Sequence, residues 1–397
     1  MYEYHEIANI FPMMNDDEYR SLSEDIAKNG LINPIVLYEG KILDGRNRYK
    51  TCNEIGVIPK YITYEGDSPL AYVISLNLQR RHLTSSQRAM LALKVLPMLE
   101  AEARKRQATH KEGDIYLVEK FPQAEEDNKS RDLAADMFQT NAHYVSDAKK
   151  IKEEKPELIE KIVAGEMTIQ EAKKKIKKDA KDKARKSMAE AGALIPSSDK
   201  WHVYQDDIRT WKSQHQYDFI ITDPPYPKEF LPLWEILAER ANEWLKPGGL
   251  LIAMSGQSYL DDIYAMMSRH LNYYWTAAYL TLGQPTPLRQ VNVNSTWKPL
   301  LIFSKGKYNG KIFGDVFKSD GKDKSFHKWG QSASGMLSII SGVCLPGQYV
   351  LDPFCGAGTT GVAALLSGCL FDGVELDREY ANISSLRLSE VQAHYDA

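Results

Sequence analysis

Apolar residues at helical spacing between residues 15 and 30, with Tyr19, Leu22 and Ile26 on one face, predict an amphipathic helix. Asn15 or Asp16 is placed to cap its start and Gly30 to end it. Ile35, Val36, Leu37 and Tyr38, the pair Glu39-Gly40, and then Lys41, Ile42 and Leu43 predict a small hairpin. The hairpin leads through Asp44-Gly45 into a helix that ends near Gly56, and a strand at 61–63 follows. From 85 to 172 the pattern turns helical, and Thr168-Ile169-Gln170-Glu171 forms a capping box just after Gly165. From Trp201 onward the texture changes again. Apolar strands at 219–221, 250–253, 300–303 and 349–351 alternate with helical stretches at 233–245 and from 380, which predicts a mostly parallel, doubly wound α/β sheet.

These shifts divide the chain into a small α+β domain at 1–84, a helical region at 85–172, a basic linker at 173–199 and the α/β domain at 200–397. The linker stretch, rich in lysine from Lys173 to Lys186, reads as a spacer or a solvated helix face. A chain of 397 residues, 43% of them hydrophobic, has the apolar content for packed cores and is no disordered polymer. A net charge of -3 rules out a global polycation, so any grip on phosphates must come from local basic stretches. Cys52, Cys344, Cys355 and Cys369 lack metal-ligand spacing, and the opening residues lack the pattern of a secretory signal. The expected setting is reduced and cytoplasmic, of bacterial, phage or mobile-element type, with no metal and no membrane partner. No apolar run reaches the roughly 20 residues that a membrane span requires.

Ligands of open α/β sheets sit outside the carboxyl ends of the strands, so the loops after apolar strands are the first places to look for chemistry. Two stand out. In the first, the strand at 219–221 runs into Asp223-Pro224-Pro225-Tyr226. Two prolines stiffen the loop and remove two backbone donors, leaving carbonyl acceptors beside a carboxylate. Such a pocket suits a donor: an amino group on a flat base would bond Asp223 and the Pro224 carbonyl while Tyr226 stacks on the ring. A plain turn is the alternative reading of the same tripeptide. The second loop follows 349–351 and contains Asp352, Pro353, Phe354, Cys355, Gly356, Ala357, Gly358 and Thr359, with a helix after it. A glycine-rich turn between strand and helix is a weak signal alone, but the next strand ends in Glu375, where ribose hydroxyls would donate. Asp352 would repel a phosphate and attract a cationic ligand. Cys355 reads as a small packing residue of this turn.

With both loops in view, the region from Trp201 to the end resembles the amino-methylating DNA methyltransferases in which the catalytic segment precedes the cofactor segment. The resemblance implies a Rossmann-like sheet, S-adenosylmethionine as cofactor and a flipped base as substrate. It assigns Asp223, Pro224, Pro225 and Tyr226 to the catalytic pocket and Asp352, Phe354, Gly356, Gly358, Thr359 and Glu375 to the cofactor. Aspartate at the first catalytic position favours adenine-N6, with cytosine-N4 the alternative. His327 stands where the family carries a histidine near the methionine end of the site, and Gln331 stands in place of a lysine. Asp206 resembles the acidic residue that opens such domains, and it is equally a candidate helix cap. The implied reaction is an in-line displacement, which calls for alignment and a polar hole.

The first half resembles the amino-terminal domain of ParB-like partition proteins through Leu43-Asp44-Gly45-Arg46-Asn47-Arg48-Tyr49 and through the segment from Asn77 to Thr84. Physically, Gly45 at a helix start beside Arg46 and Arg48 is an anion-binding nest, and Arg80 and Arg81 would converge on it. The resemblance implies CTP as a second ligand; solvated surface arginines are the plainer reading. Residues 133–145 have the small residues and late valine of a helix-turn-helix. In that reading Thr140 caps a recognition helix, Asn141, His143 and Ser146 face base edges, and Lys149 and Lys150 face phosphates. The expected whole is a solitary DNA methyltransferase with its own targeting module, acting on double-stranded DNA, with a homodimer as the expected assembly. A DNA-binding regulator with a cofactor-sensing methylase half is the reading from a different class.

Overall fold

The computed structural model describes residues 1–78, 83–109, 128–280, 286–289, 291–318 and 333–395. They form two units, Met1–Ala180 and Lys181–Ala397. Among the described residues no helix is long and apolar enough to cross a membrane.

In the first unit, helix α1 (Asp16–Asn29) starts at a complete capping box: the Asn15 side chain accepts from the Glu18 amide, and Glu18 accepts from the Asn15 amide. Strands β1 (Ile35–Tyr38) and β2 (Lys41–Asp44) pair antiparallel. Glu39 and Gly40 turn between them with φ of 50° and 73°, the two positive values that a tight hairpin turn requires. Helix α2 (Arg46–Ile55) follows, and β3 (Tyr61–Thr63) adds in parallel beside β1. Helices α3 (Pro69–Leu78), α4 (Ser85–Thr109), α5 (Asn128–Met137), α6 (Ala142–Glu154) and α7 (Leu158–Ala164) complete the helical part, with Leu70, Val95, Phe138, Val145 and Ile162 in one core.

Helix α8 (Ile169–Gly192) starts at the Thr168–Glu171 capping box, with the Thr168 amide 2.8 Å from Glu171 Oε2. The basic stretch, read as a spacer or a solvated helix face, is therefore helical as far as Gly192. Lysine, alanine and arginine favour helix, and Ile169 and Ala172 anchor its first turn in the core.

The second unit is built on a sheet of eight strands: β4 (Trp201–Gln205), β5 (Tyr217–Thr222), β6 (Leu245–Met254), β7 (Asn272–Leu280), β10 (Trp297–Ser304), β11 (Val316–Lys318), β12 (Tyr349–Asp352) and β13 (Leu370–Glu375). A separate short pair, β8 (Thr286–Leu288) and β9 (Val293–Ser295), lies between β7 and β10 in sequence. The order is β11-β7-β10-β6-β5-β12-β13-β4. From β6 to β4 every neighbour is parallel, whereas β10 runs antiparallel to both β6 and β7. The sheet is thus mixed, and its parallel half carries both loops singled out above.

Alternation along the strands sorts side chains to two faces. Phe219, Ile221, Leu250, Ile252 and Val350 pack with α11 (Ala333–Val343) and α12 (Thr359–Leu366), and Leu388 of α13 (Arg378–Tyr395) joins them. Ile220, Leu251, Ala253 and Leu351 face the other way, toward α9 (Pro232–Trp244) and α10 (Leu260–Met267). The register of β5 against β6 shifts between Tyr217 and Phe219, and Tyr217 packs on that second face, where its hydroxyl donates to buried Asp372 at 2.5 Å.

Candidate active site

Strands β5 and β12 lie side by side, Phe219 opposite Val350 and Ile220 opposite Leu351, so Asp223-Pro224-Pro225-Tyr226 and the turn from Asp352 to Gly358 emerge together at the same sheet edge. A side-chain link joins them. Thr222 Oγ1 donates to Asp352 Oδ1 at 2.6 Å, and Thr360 Oγ1 donates to Asp352 Oδ2 at 2.5 Å. The Phe354 amide donates to Asp352 Oδ1 at 3.0 Å, so this carboxylate, 3% exposed, locks the end of β5 to the first turn of α12. Burial pushes its pKa up to about 6; the three donors pull it down, and the nearby charge of Asp223 adds to the rise.

Glu375 closes the turn from the other side. Its carboxylate accepts from the Gly356 amide at 2.8 Å and from the Asp377 amide at 2.9 Å. Gly356 has φ of 51° and no atom within 4 Å of the place a Cβ would take, so the turn borders open space. Gly358 differs. With φ of 77°, its hypothetical Cβ falls 2.3 Å from Ser384 Oγ on α13, and only glycine fits. Cys355 is buried against Gly373, and burial drives its thiol far from ionisation, as suits a packing residue. Asp206 sits beside Glu375, its amide donating to the Glu375 carbonyl at 3.0 Å. Its carboxylate accepts from the Asp207 amide at 2.7 Å, capping a turn. Asp223, Asp352, Glu375 and Asp206 thus mark the ends of four adjacent strands, an acidic edge suited to a cationic ligand.

Asp223 is open to solvent on one side, yet crowding raises its pKa, while the Tyr226 hydroxyl bond and the charge of Lys298 oppose that rise. Tyr226 donates to Asp223 Oδ1. Among the described contacts Oδ2 of Asp223 takes no hydrogen bond, which leaves one acceptor for an incoming donor. Beside this loop lies a cavity of about 320 Å³ walled by Tyr226, Trp234, Ser255, Gly256 and Tyr259.

Four contributors escaped the sequence reading. Thr222 and Thr360 hold Asp352. Arg387 of α13, buried, donates to the Ala357 carbonyl and lies 3.4 Å from Thr359 Oγ1, bracing the glycine turn. Tyr259 holds a left-handed backbone (φ 61°, ψ 23°), which costs a residue with a side chain about 1 kcal/mol and keeps its ring at the cavity. A lone lysine, Lys298, in an otherwise apolar strand was the one local signal for a fifth, taken up below. His327, Gln331, Arg80 and Arg81 lie outside the described residues.

In the first unit Gly45 takes φ of 97° at the start of α2, but both neighbouring guanidinium groups are engaged internally. Arg46 reaches Asn9 Oδ1 at 2.7 Å and the Phe11 carbonyl at 2.5 Å. Arg48 pairs with Asp44 at 2.6 Å. The expected cap of α6 shifts by one residue: Asn141, not Thr140, is the N-cap, with Oδ1 2.7 Å from the His143 amide. Thr140 instead donates to the Ser85 carbonyl at 3.0 Å. Two neighbouring cap formers made the frame ambiguous, and Gln139, at φ of 51°, makes the left-handed step between α5 and α6. His143, Lys149 and Lys150 are exposed on α6, whereas Ser146 accepts from Arg131 at 3.3 Å.

Residues 217–386 match the N6/N4 family described as "DNA methylase". The Escherichia coli (strain K12) protein named "Putative methylase YubD" is 27% identical over 190 residues, 44% of this chain and 83% of that relative. "DNA adenine methyltransferase YhdJ" of the same organism is 48% identical over 59 residues, 15% of this chain and only 20% of YhdJ. Among solved structures, the "crystal structure of M1.HpyAVI-SAM complex" is 26% identical, covers 47% of this chain and 98% of that one, and superposes with a TM-score of 0.39. Over residues 217–386 this chain is therefore similar to the N6/N4 DNA methylases, the amino-methylating kind.

Proposed function

We propose that this chain transfers a methyl group from S-adenosylmethionine to the exocyclic amino group, N6, of a flipped adenine in double-stranded DNA. The observation that supports this reading most is the Thr222–Asp352 bond, which couples the amino-accepting loop to the cofactor turn at adjacent strand ends.

The residues present fit the cofactor. Asp352 offers a buried negative charge, Glu375 a carboxylate held by two amides at the end of β13, and Gly356 an open cradle that a Cβ would fill. When bound, S-adenosylmethionine supplies an electrophilic methyl group on a sulfonium centre. Everything else falls to the protein. Asp223 Oδ2 and the Pro224 carbonyl accept the two amino hydrogens, which draws the nitrogen out of conjugation and frees its lone pair. The Tyr226 and Tyr259 rings wall the cavity in which a base extruded from the duplex would sit. The proton shed by the methylated nitrogen passes to Asp223 or to water.

The pKa of Asp352 sets a pH dependence. Below about pH 6 this group becomes neutral and loses its attraction for the cationic cofactor. Cofactor affinity should therefore stay level above pH 6 and fall by up to about tenfold per pH unit below it, with proton release on binding. The free protein responds in the opposite sense. A carboxyl whose folded pKa is raised contributes stability that is full below its unfolded value of about 4 and lost as pH rises through 6. Calorimetric titration between pH 5 and 8 measures the first trend; affinity that is level down to pH 5 would remove Asp352 from the cofactor's field.

Target choice belongs, in this reading, to the first unit, as a ParB-like and helix-turn-helix module that contacts DNA through α6. Exposed Lys149 and Lys150 are the phosphate contacts. Replacing both with alanine should weaken duplex binding and flatten the slope of log affinity against log salt by about 2, measured by fluorescence anisotropy. An unchanged slope would free α6 of that role. The enzymatic reading itself is tested by transfer of tritium from labelled cofactor to unmodified duplex DNA. Folded, cofactor-binding protein that leaves DNA unlabelled would favour the regulator instead.

A further inference from the structure

One basic side chain reaches the catalytic loop from an element outside both motif segments. Lys298 lies on β10, paired with Tyr279 of β7, in a strand whose residues from Pro299 to Ser304 are buried. The Ser255 amide donates to the Pro299 carbonyl at 3.0 Å, which fastens the loop after β6 beside this end of β10. From there Lys298 Nζ lies 3.3 Å from the Tyr226 hydroxyl and 5.0 Å from the centre of the Tyr226 ring. No carboxylate among the described residues forms an ion pair with Lys298; its partner is the tyrosine, by hydroxyl and by face. Tyr226 in turn donates to Asp223.

We propose that Lys298 is a positioning residue of the acceptor site, whose ammonium fixes the Tyr226 hydroxyl against Asp223 and keeps that carboxylate charged. The inference rests on the reading of Asp223 as the amino acceptor. It solves a problem that the site poses. Crowding disfavours the charged form of Asp223, and a neutral Asp223 would present a proton toward the amino group it should accept from. The groups that counter this are Tyr226, through its hydrogen bond, and Lys298, through its charge. Because Lys298 donates to the tyrosine oxygen, the Tyr226 proton is left to point at Asp223. The chain of bonds thus has one direction, from ammonium to hydroxyl to carboxylate.

Lys298→Met keeps the bulk of the side chain and removes its charge. With cofactor saturating at every pH, the acid limb of the pH profile of kcat/KM for DNA should move up by about one unit, with KM for DNA changed less than about twofold. Lys298→Arg should return the limb most of the way. A readout free of turnover separates this inference from the functional assignment: the carboxyl ¹³C resonance of Asp223, identified by its loss in Asp223→Asn, titrated by NMR in the free protein. Its midpoint should rise by about one unit in Lys298→Met. If the wild-type chain transferred no methyl group, the functional reading would fail while this titration still decided the role of Lys298. A folded Lys298→Met protein whose Asp223 titration and acid limb match wild type would overturn the inference.

Discussion

Replacing Asp223 with asparagine is expected to lower methyl transfer at least about a thousandfold while cofactor affinity stays within about twofold of wild type. The two halves of that expectation have separate causes. The asparagine amide has one acceptor and one donor where the carboxylate has two acceptors. Tyr226 already donates to one oxygen of Asp223, so the amide must either give up that bond or turn its own NH₂ toward the substrate amino group. Two donors then face each other, and the lone pair that must attack is no longer freed. The cofactor residues are untouched: Glu375 still holds the Gly356 amide, and Asp352 still takes its three hydrogen bonds. Asp223→Ala, which leaves no acceptor at all, should abolish transfer. Radiolabelled cofactor measures turnover and calorimetry measures binding. Transfer within tenfold of wild type in either variant would remove this loop from the chemistry.

The second large effect concerns the glycine turn. Gly358→Ala should destabilise the protein by about 2–4 kcal/mol, adding the left-handed backbone cost of a β-carbon to the cost of forcing a packed contact apart. The obstacle is Ser384 Oγ at 2.3 Å from the added carbon, with the Ser384 Cα at 3.1 Å, so the turn and α13 cannot both stay where they are. A shift of the turn would break the grip of Arg387 on the Ala357 carbonyl, and cofactor affinity should fall by more than about a hundredfold. Gly356→Ala is the instructive contrast. Its added carbon meets nothing within 4 Å, so only the backbone cost of about 1 kcal/mol applies. Yet that carbon enters the cradle, so affinity should drop with little change in thermal midpoint. Equal stability losses in the two variants would show that Ser384 does not confine the turn.

What was legible in the sequence followed from local rules. The cap of α1, offered as Asn15 or Asp16 and made by Asn15, the Thr168 capping box and the Glu39-Gly40 turn are decided within four residues. The two site loops were legible because apolar strands end abruptly in residues that serve no strand, Asp223 with two prolines and Asp352 with its glycines. Contributors at long range were not. Thr222, Thr360 and Arg387 matter through partners 130, 8 and 30 positions away, and nothing in their own surroundings separates them from ordinary strand or helix residues. Tyr217 and Phe219, two positions apart, pack on opposite faces, which breaks the strict alternation on which face assignment rests. At α6 the pattern was legible and its frame was not, since Thr140 and Asn141 are both cap formers and only the fold decides between them. The lysine run left two readings open, a spacer or a solvated helix face, and the helix formed because these residues are good helix formers once a capping box starts it.

The most direct measurement is the nucleoside content of unmodified duplex DNA after incubation with this protein and S-adenosylmethionine, resolved by mass spectrometry. The account expects N6-methyl-2′-deoxyadenosine as the product, absent when Asp223→Asn replaces wild type. N4-methyl-2′-deoxycytidine would contradict the choice of base, and unmodified nucleosides from folded, cofactor-bound protein would contradict the assignment as a whole.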